Sequence, residues 1–243
     1  MNMNIQAPAE SRVKELVCRG KKFLGLYDIE GYEEAVPLFR EAIEADPSCA
    51  EAHGALAETY SFWGFRREIS GLEGESLYEM AHEYASMALK LAPQSAGAHR
   101  AMSVALRRGR KADPELRLKE AQAAVDLGPA DPANWAELWR ARGYEPGDRA
   151  LSRALELDPL QCGLQIDLGA VYCERGDYGK AVEALSTAVK ANRGNIVAWY
   201  DLAMCLDRMG DSERARELMG RLQALHPRDP LVTSGVELLG AGK

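Results

Sequence analysis

Apolar and small residues recur along the chain at the three-to-four spacing of a helix face, and toward the C-terminus the pattern repeats as a block. Leu168, Gly169, Tyr172, Gly176, Ala181 and Ala188 return about 34 positions later as Leu202, Ala203, Leu206, Gly210, Ala215 and Leu222. That period predicts stacked helical units that share interfaces with their neighbours rather than one globular core. Small residues such as Gly169 and Ala181 let two helices approach closely, while Tyr172, Leu185 and Leu206 fill the space between that pair and the next. Each unit reads as one antiparallel helix hairpin. Gly176-Asp177 and Gly210-Asp211 mark turns inside hairpins, and Pro or Asp-Pro marks the joints between them, where proline suits the first turn of the following helix. Near the start, Val13, Leu16, Gly20 and Phe23 keep helical spacing. Near the end, Leu231, Val232, Val236 and Leu239 do so in a short segment predicted to cap the stack.

Leu168, Gly169, Tyr172, Ala181, Leu185 and Ala188 in one block, and Trp199, Leu202, Ala203, Ala215, Met219 and Pro227 in the next, match a known repeat signature. On these residues the chain resembles the tetratricopeptide repeat (TPR) family from about Val13 to Pro230, with Arg193 standing where the family has proline. The resemblance implies an all-α fold: a right-handed α-α superhelix, or solenoid, of about six hairpins plus a C-terminal capping helix. Carried backwards, the phase predicts a flexible tail over 1–12 and an array over 13–229. Its units fall at about 13–49, 50–95, 96–131, 132–161, 162–195 and 196–229, followed by a capping helix and tail over 230–243. The units are unequal. Tyr32, Ala35, Phe39, Ala42 and Pro47 keep phase in the first, and Leu56, Ala57, Tyr60, Tyr78, Ala81, Ala88 and Pro93 in the second. The segment from Gly64 to Ser76, GFRREISGLEGES, makes the second unit too long and is expected to be an extended connection. The third lacks a clean alanine at one family position, yet Asp113-Pro114-Glu115 predicts a capped second helix. The fourth is short, which predicts shorter helices.

Composition narrows the job. With 37 acidic and 30 basic residues the net charge is −7, which argues against wholesale attraction to nucleic acid or an anionic membrane. The basic run RRGRK at 107–111 has no interleaved aromatics, so no nucleic-acid partner is assigned to it. Five widely spread cysteines without a C-x-x-C pair read as small packing residues in a reducing compartment. The N-terminus lacks a cationic start followed by an apolar run, and no stretch approaches the roughly 18 apolar residues of a membrane span. A cytoplasmic protein without a membrane partner is expected. Of the four histidines, His53 and His99 fall where a large side chain packs in each unit. There is no H-E-x-x-H, nucleophile elbow, phosphate loop or metal-spaced Cys/His set, so no catalytic residue, metal or cofactor is predicted and the protein is read as non-enzymatic.

In the TPR family the first helix of each unit lines a concave groove, which turns attention to particular positions. Arg100, Val104, Arg107 and the adjacent Arg108 in unit three, with Arg140 in unit four, offer charge-assisted contacts to an acidic peptide. The alternative is a solvated face with arginines favoured near helix C-termini. Ile166, Asp167, Ala170, Val197, Tyr200, Asp201 and Met204 share one surface of units five and six and suit an amphipathic helix or extended peptide. Packing against neighbouring helices is the competing account of the apolar ones. A specialised TPR class grips the C-terminal carboxylate of heat-shock chaperones with a Lys/Asn/Asn/Lys/Arg clamp. The matching positions here are Val17, Lys21, Ala55, Gly97 and Ala101, of which only Lys21 could serve, so that clamp is not expected. The predicted function is a protein-interaction scaffold or adaptor that takes a partner's peptide or helix in its groove. Self-association into a homo-oligomer through the terminal helices is the alternative.

Overall fold

The computed structural model of the protein describes residues 6–240, which contain thirteen α-helices and no strand. They pair in chain order as antiparallel hairpins: α1 (Gln6–Leu24) with α2 (Ile29–Ala45), α3 (Ala50–Ile69) with α4 (Glu75–Leu91), and α5 (Ala96–Ala105) with α6 (Pro114–Leu127). Then come α7 (Pro132–Ala141) with α8 (Arg149–Leu157), α9 (Cys162–Glu174) with α10 (Tyr178–Ala191), and α11 (Ile196–Arg208) with α12 (Ser212–Leu225). A last helix, α13 (Pro230–Gly240), packs on α12 and α11. The helices group into two compact units, one holding α1–α8 and the other α9–α13. In the first, α1, α3, α5 and α7 stack successively on one another; in the second, α9, α11 and α13 do.

Small-against-large contacts set how closely each hairpin closes. A Cβ placed on Gly20 would meet the ring of Phe39, and one on Gly169 would meet the Leu185 side chain, with Phe39 and Leu185 both fully buried. Alanines 35, 42, 81, 85, 88, 181 and 188 are likewise sealed inside, so the interfaces are dense rather than bulky. Helix starts are capped from the sequence, as foreseen for Asp113, whose Oδ1 accepts from the Leu116 amide at 3.0 Å ahead of Pro114. Asp28, Asp131 and Asn195 do the same with Gly31, Ala133 and Ala198.

One device recurs in five hairpins. The side chain at one fixed position donates to the carbonyl six residues earlier: His53 Nε2 to Pro47, His99 Nε2 to Pro93, Trp135 Nε1 to Pro129, Gln165 Nε2 to Pro159 and Trp199 Nε1 to Arg193, at 2.8–3.1 Å. What the position requires is an N–H at the end of a flat side chain, which is why His, Trp and Gln interchange there. The partner is a backbone carbonyl, so Arg193 serves as well as proline.

Two expectations need correcting. Residues 6–12, read as part of a flexible tail, belong to α1, where the Arg12 guanidinium reaches Glu41 of α2; residues 1–5 and 241–243 lie outside the described residues. The segment 64–76 is not an extended connection. It lengthens α3 to twenty residues and leaves only Ser70–Gly74 between helices. The reason is tertiary: Gly64 lets α3 run hard against the ring of Tyr78, and the Arg66 side chain is almost fully buried, so this extra turn of helix has its own packing partners. In the fourth hairpin α7 and α8 have ten and nine residues.

Candidate functional site

Within the first unit, the first helices enclose a groove of about 280 Å³ between α3, α5 and the ends of α1 and α7. Gly54, Ala55, Gly97 and Ala98 form its floor, low enough for another backbone to approach. Its walls carry charge already matched within the chain. Lys21 pairs with Glu51, and Arg100 donates from Nε to Glu58 and from Nη1 to Asp131, both at 2.8 Å, and to Asn134 at 3.0 Å. The Glu58 carboxylate, assisted by Asp131, outweighs desolvation and holds the Arg100 guanidinium more firmly charged than usual. Arg100 thus faces the groove but spends its donors on its own chain, so the expectation that it recruits an acidic peptide changes: its role is to brace α3, α5 and α7.

The other arginines divide. Val104 is 3% exposed, and its carbonyl accepts from Ser61 Oγ at 3.1 Å. Its side chain therefore has almost no surface to offer a ligand, because α3 packs against α5 there. Arg140 lies 3.9 Å from Glu137, a buried carboxylate that also accepts from Arg117 at 3.0 Å and from Ser103 at 2.9 Å. Burial alone would raise the Glu137 pKa, but Arg107, Arg117 and Arg140 overcome it and hold the carboxyl below its ordinary range. Three guanidiniums thus converge on one carboxylate, a feature with no short sequence signature because its members come from α5, α6 and α7.

Arg107, a member of this cluster, and Arg108 follow the C-terminal end of α5, each against an aromatic ring of α3. The Arg107 guanidinium carbon lies 5.9 Å from the Phe62 ring centre and that of Arg108 lies 4.5 Å from Phe65; Arg108 also pairs with Glu68 at 3.3 Å. Tyr27 adds a ring 5.6 Å from Phe62 on one side, and on the other the Tyr144 hydroxyl lies 3.5 Å from Arg107 Nη1. These two tyrosines are the non-glycine residues with positive φ among the described residues, at 56° and 63°. Glycine takes this conformation in the turns of the other hairpins, at Gly71, Gly109, Gly176 and Gly210, and the fourth hairpin has Gly143 in it immediately before Tyr144. A β-carbon in that region costs on the order of 1 kcal/mol, and these two residues end the ladder Tyr27–Phe62–Arg107–Tyr144. Neither the helical periodicity nor the repeat motif singles out Tyr27, Phe62 or Tyr144; only Tyr27, directly before the N-cap Asp28 where Gly176 and Gly210 precede Asp177 and Asp211, leaves a signal in the sequence.

In the second unit, Ile166, Asp167, Ala170, Val197, Tyr200, Asp201 and Met204 lie on neighbouring α9 and α11, all at intermediate exposure. Ile166, Tyr200 and Met204 also pack against the local core, and Tyr200 reaches the Gly235 backbone of α13. Both readings of this face thus hold in part, since its side chains are half packed and half presented. No group of three or more potential metal-ligating side chains occurs among the described residues. No described helix is long and apolar enough to cross a membrane.

Antiparallel hairpins whose first helices stack beside a groove define a helical-repeat scaffold. Family models described as tetratricopeptide repeat match residues 172–238 and 21–60. Over those residues the chain carries tetratricopeptide repeats, within an all-α solenoid fold. It is similar to BBSome complex member BBS4 of Xenopus tropicalis, 26% identical over 129 residues, covering 51% of this chain and 25% of that protein. It is also similar to human general transcription factor 3C polypeptide 3, 34% identical over 85 residues, covering 34% of this chain and 10% of that one. The chain thus spans a quarter or less of these relatives' length. Among solved structures, Pseudomonas aeruginosa PilF superposes with a TM-score of 0.54 at 17% identity, covering 97% of this chain and 100% of that one. At that identity the likeness is one of fold.

Proposed function

We propose that the protein is a non-catalytic adaptor whose first unit captures an extended acidic segment of a partner protein. The observation that carries this reading is the ladder Tyr27–Phe62–Arg107–Tyr144 with the second Arg–Phe stack beside it. Guanidiniums held over rings are pre-oriented, so a partner carboxylate meets donors with little side-chain entropy left to lose. The half-buried rings offer apolar contact to the residues flanking that carboxylate. Strained backbone at both ends supports a role beyond folding, because such strain concentrates at working sites. Arg140 serves this site indirectly, through Glu137. The face carrying Ile166, Asp167, Ala170, Val197, Tyr200, Asp201 and Met204 supplies a second contact suited to an amphipathic helix, and the chemistry of both surfaces fits a cytoplasmic adaptor.

The test is affinity capture with the whole chain, comparing wild type with Arg107→Glu/Arg108→Glu and with Tyr200→Ala/Met204→Ala. A partner retained by wild type and lost from the charge-reversed variant supports the ladder; equal retention by both variants and wild type sinks groove recognition. Self-association is the second reading, favoured by an apolar recess of about 250 Å³ on the second unit, lined by Trp199, Leu218, Leu222 and a 74% exposed Leu225. Light scattering over a concentration series separates the two, since a monomer throughout removes it.

A further inference from the structure

The repeat does not account for the end of α3. His53 and His99 hold the same position in their hairpins, yet α3 continues sixteen residues past His53, whereas α5 ends six residues past His99. The last turns of α3 therefore project past α5, beside the turn that carries Arg107 and Arg108. One side of this projection is fixed on α4. A Cβ on Gly64 would meet the Tyr78 ring, a Cβ on Gly74 would meet the Gly64 carbonyl, and Arg66 is almost fully buried. Its end is closed as well: the Leu72 amide donates to the Arg67 carbonyl and the Gly71 amide to the Glu68 carbonyl, both at 2.9 Å, around a left-handed Gly71. On this firmly built segment three large apolar side chains stay open to solvent, Phe65, Ile69 and Leu72 being 36%, 39% and 43% exposed. Phe65 and Ile69 lie one turn apart on one stripe of α3, and that stripe begins at Phe62 of the ladder.

We propose that Phe65, Ile69 and Leu72 select the partner segment: its carboxylate is followed by apolar side chains at alternate positions, which cover this face. The proposal rests on the reading of Arg107 and Arg108 as a carboxylate site. Charge and spacing both point to this occupant. The Arg108 guanidinium carbon stands 4.5 Å from the Phe65 ring centre, so a carboxylate bound there carries the adjoining residues of its chain over Phe65 and Ile69. The pair of Arg108 with Glu68 does not prevent this, because the two side chains are 45% and 39% exposed, and such a pair is worth little in water and yields readily to a second carboxylate. Four residues of helix rise about 6 Å, and alternate residues of an extended chain stand about 7 Å apart. Two side chains on one edge of an extended segment therefore fall on Phe65 and Ile69 in step, with Leu72 beyond them. Because the face is held rigid by α4 and by its own closing turn, a segment laid on it orders little of the protein.

The experiment measures fluorescence anisotropy of two labelled peptides with the whole chain. One has central glutamates flanked on both sides by leucines at alternate positions, a symmetric design that makes chain direction immaterial; its control has serine for every leucine. Wild type should bind the leucine peptide roughly tenfold more tightly than the control, the worth of taking a large apolar side chain out of water. Ile69→Ser/Leu72→Ser should erase that preference and leave the affinity for the control unchanged. Should the double variant melt early by circular dichroism, Leu72→Ser alone, outside the helix, carries the same comparison. Equal binding of the two peptides by wild type, or a preference that survives the double change, overturns the proposal while the carboxylate reading stands. If Arg107→Glu/Arg108→Glu holds the control as tightly as wild type does, the carboxylate reading falls and takes this proposal with it. Light scattering supplies the remaining outcome: wild type that self-associates while the double variant stays monomeric gives the face to a second copy and overturns the proposal.

Discussion

Replacing Gly169 with alanine tests whether close approach of helices, rather than helix propensity, governs this fold. Gly169 lies inside α9, where exchanging glycine for alanine would by itself add about 1 kcal/mol of stability. Its new methyl, however, would stand 2.8 Å from Leu185 Cδ2, 3.1 Å from Cδ1 and nearer still to Cγ. Comfortable carbon contacts need about 3.5–4.0 Å, and Leu185 is fully buried with its branch point in the way, so it cannot swing aside. Overpacking of this kind costs about 1–3 kcal/mol. Gly220 provides the control: it lies in α12, exposed, and a Cβ there meets nothing within 4 Å. Urea denaturation followed by circular dichroism should show Gly220→Ala stabilised by about 1 kcal/mol and Gly169→Ala about 1–3 kcal/mol less stable than Gly220→Ala. Adding Leu185→Ala to Gly169→Ala should cost less than the sum of the two single changes, because the methyl then enters the space the leucine leaves. Equal stability of Gly169→Ala and Gly220→Ala, or strict additivity with Leu185→Ala, would refute the reasoning.

The remaining expectations concern polar groups. Glu137→Gln leaves Arg107, Arg117 and Arg140 facing a neutral side chain and should cost about 3–5 kcal/mol, measured by the same denaturation at neutral pH. Because the Glu137 pKa is lowered in the folded state, its contribution is present above the unfolded carboxyl value of about 4.3 and is lost as pH falls through the lower folded value. The acid limb of a stability–pH profile should therefore be flatter in Glu137→Gln than in wild type. Trp199→Phe keeps the ring but removes the donor to the Arg193 carbonyl and should cost about 0.5–1.5 kcal/mol in a melt; a neutral result would show that the five-fold staple is incidental to stability.

Much of the helical architecture is legible because the repeat is enforced locally. Residues such as Gly169, Ala181 and Leu185 must match partners within their own hairpin, and Asp113 and Asn195 cap helices only a few residues away. Turn residues and small-residue spacing are written in short windows, so the all-α class and the pairing of helices follow from them. The candidate site was less legible. Arg100 and Val104 were singled out by repeat position, but the structure gives Arg100 two carboxylates and buries Val104 under α3.

What the sequence by itself determined, then, is the unit and its repetition: which faces are apolar and where helices start. Only the tertiary structure decided that 64–69 extends α3 instead of looping out, that Glu137 gathers three arginines, and that Tyr27 and Tyr144 flank the Arg107–Phe62 stack. The physical reason is range. Periodicity and capping act within a turn or two of helix, whereas charge neutralisation and ring stacking join residues from different hairpins, whose adjacency exists only after the stack has formed.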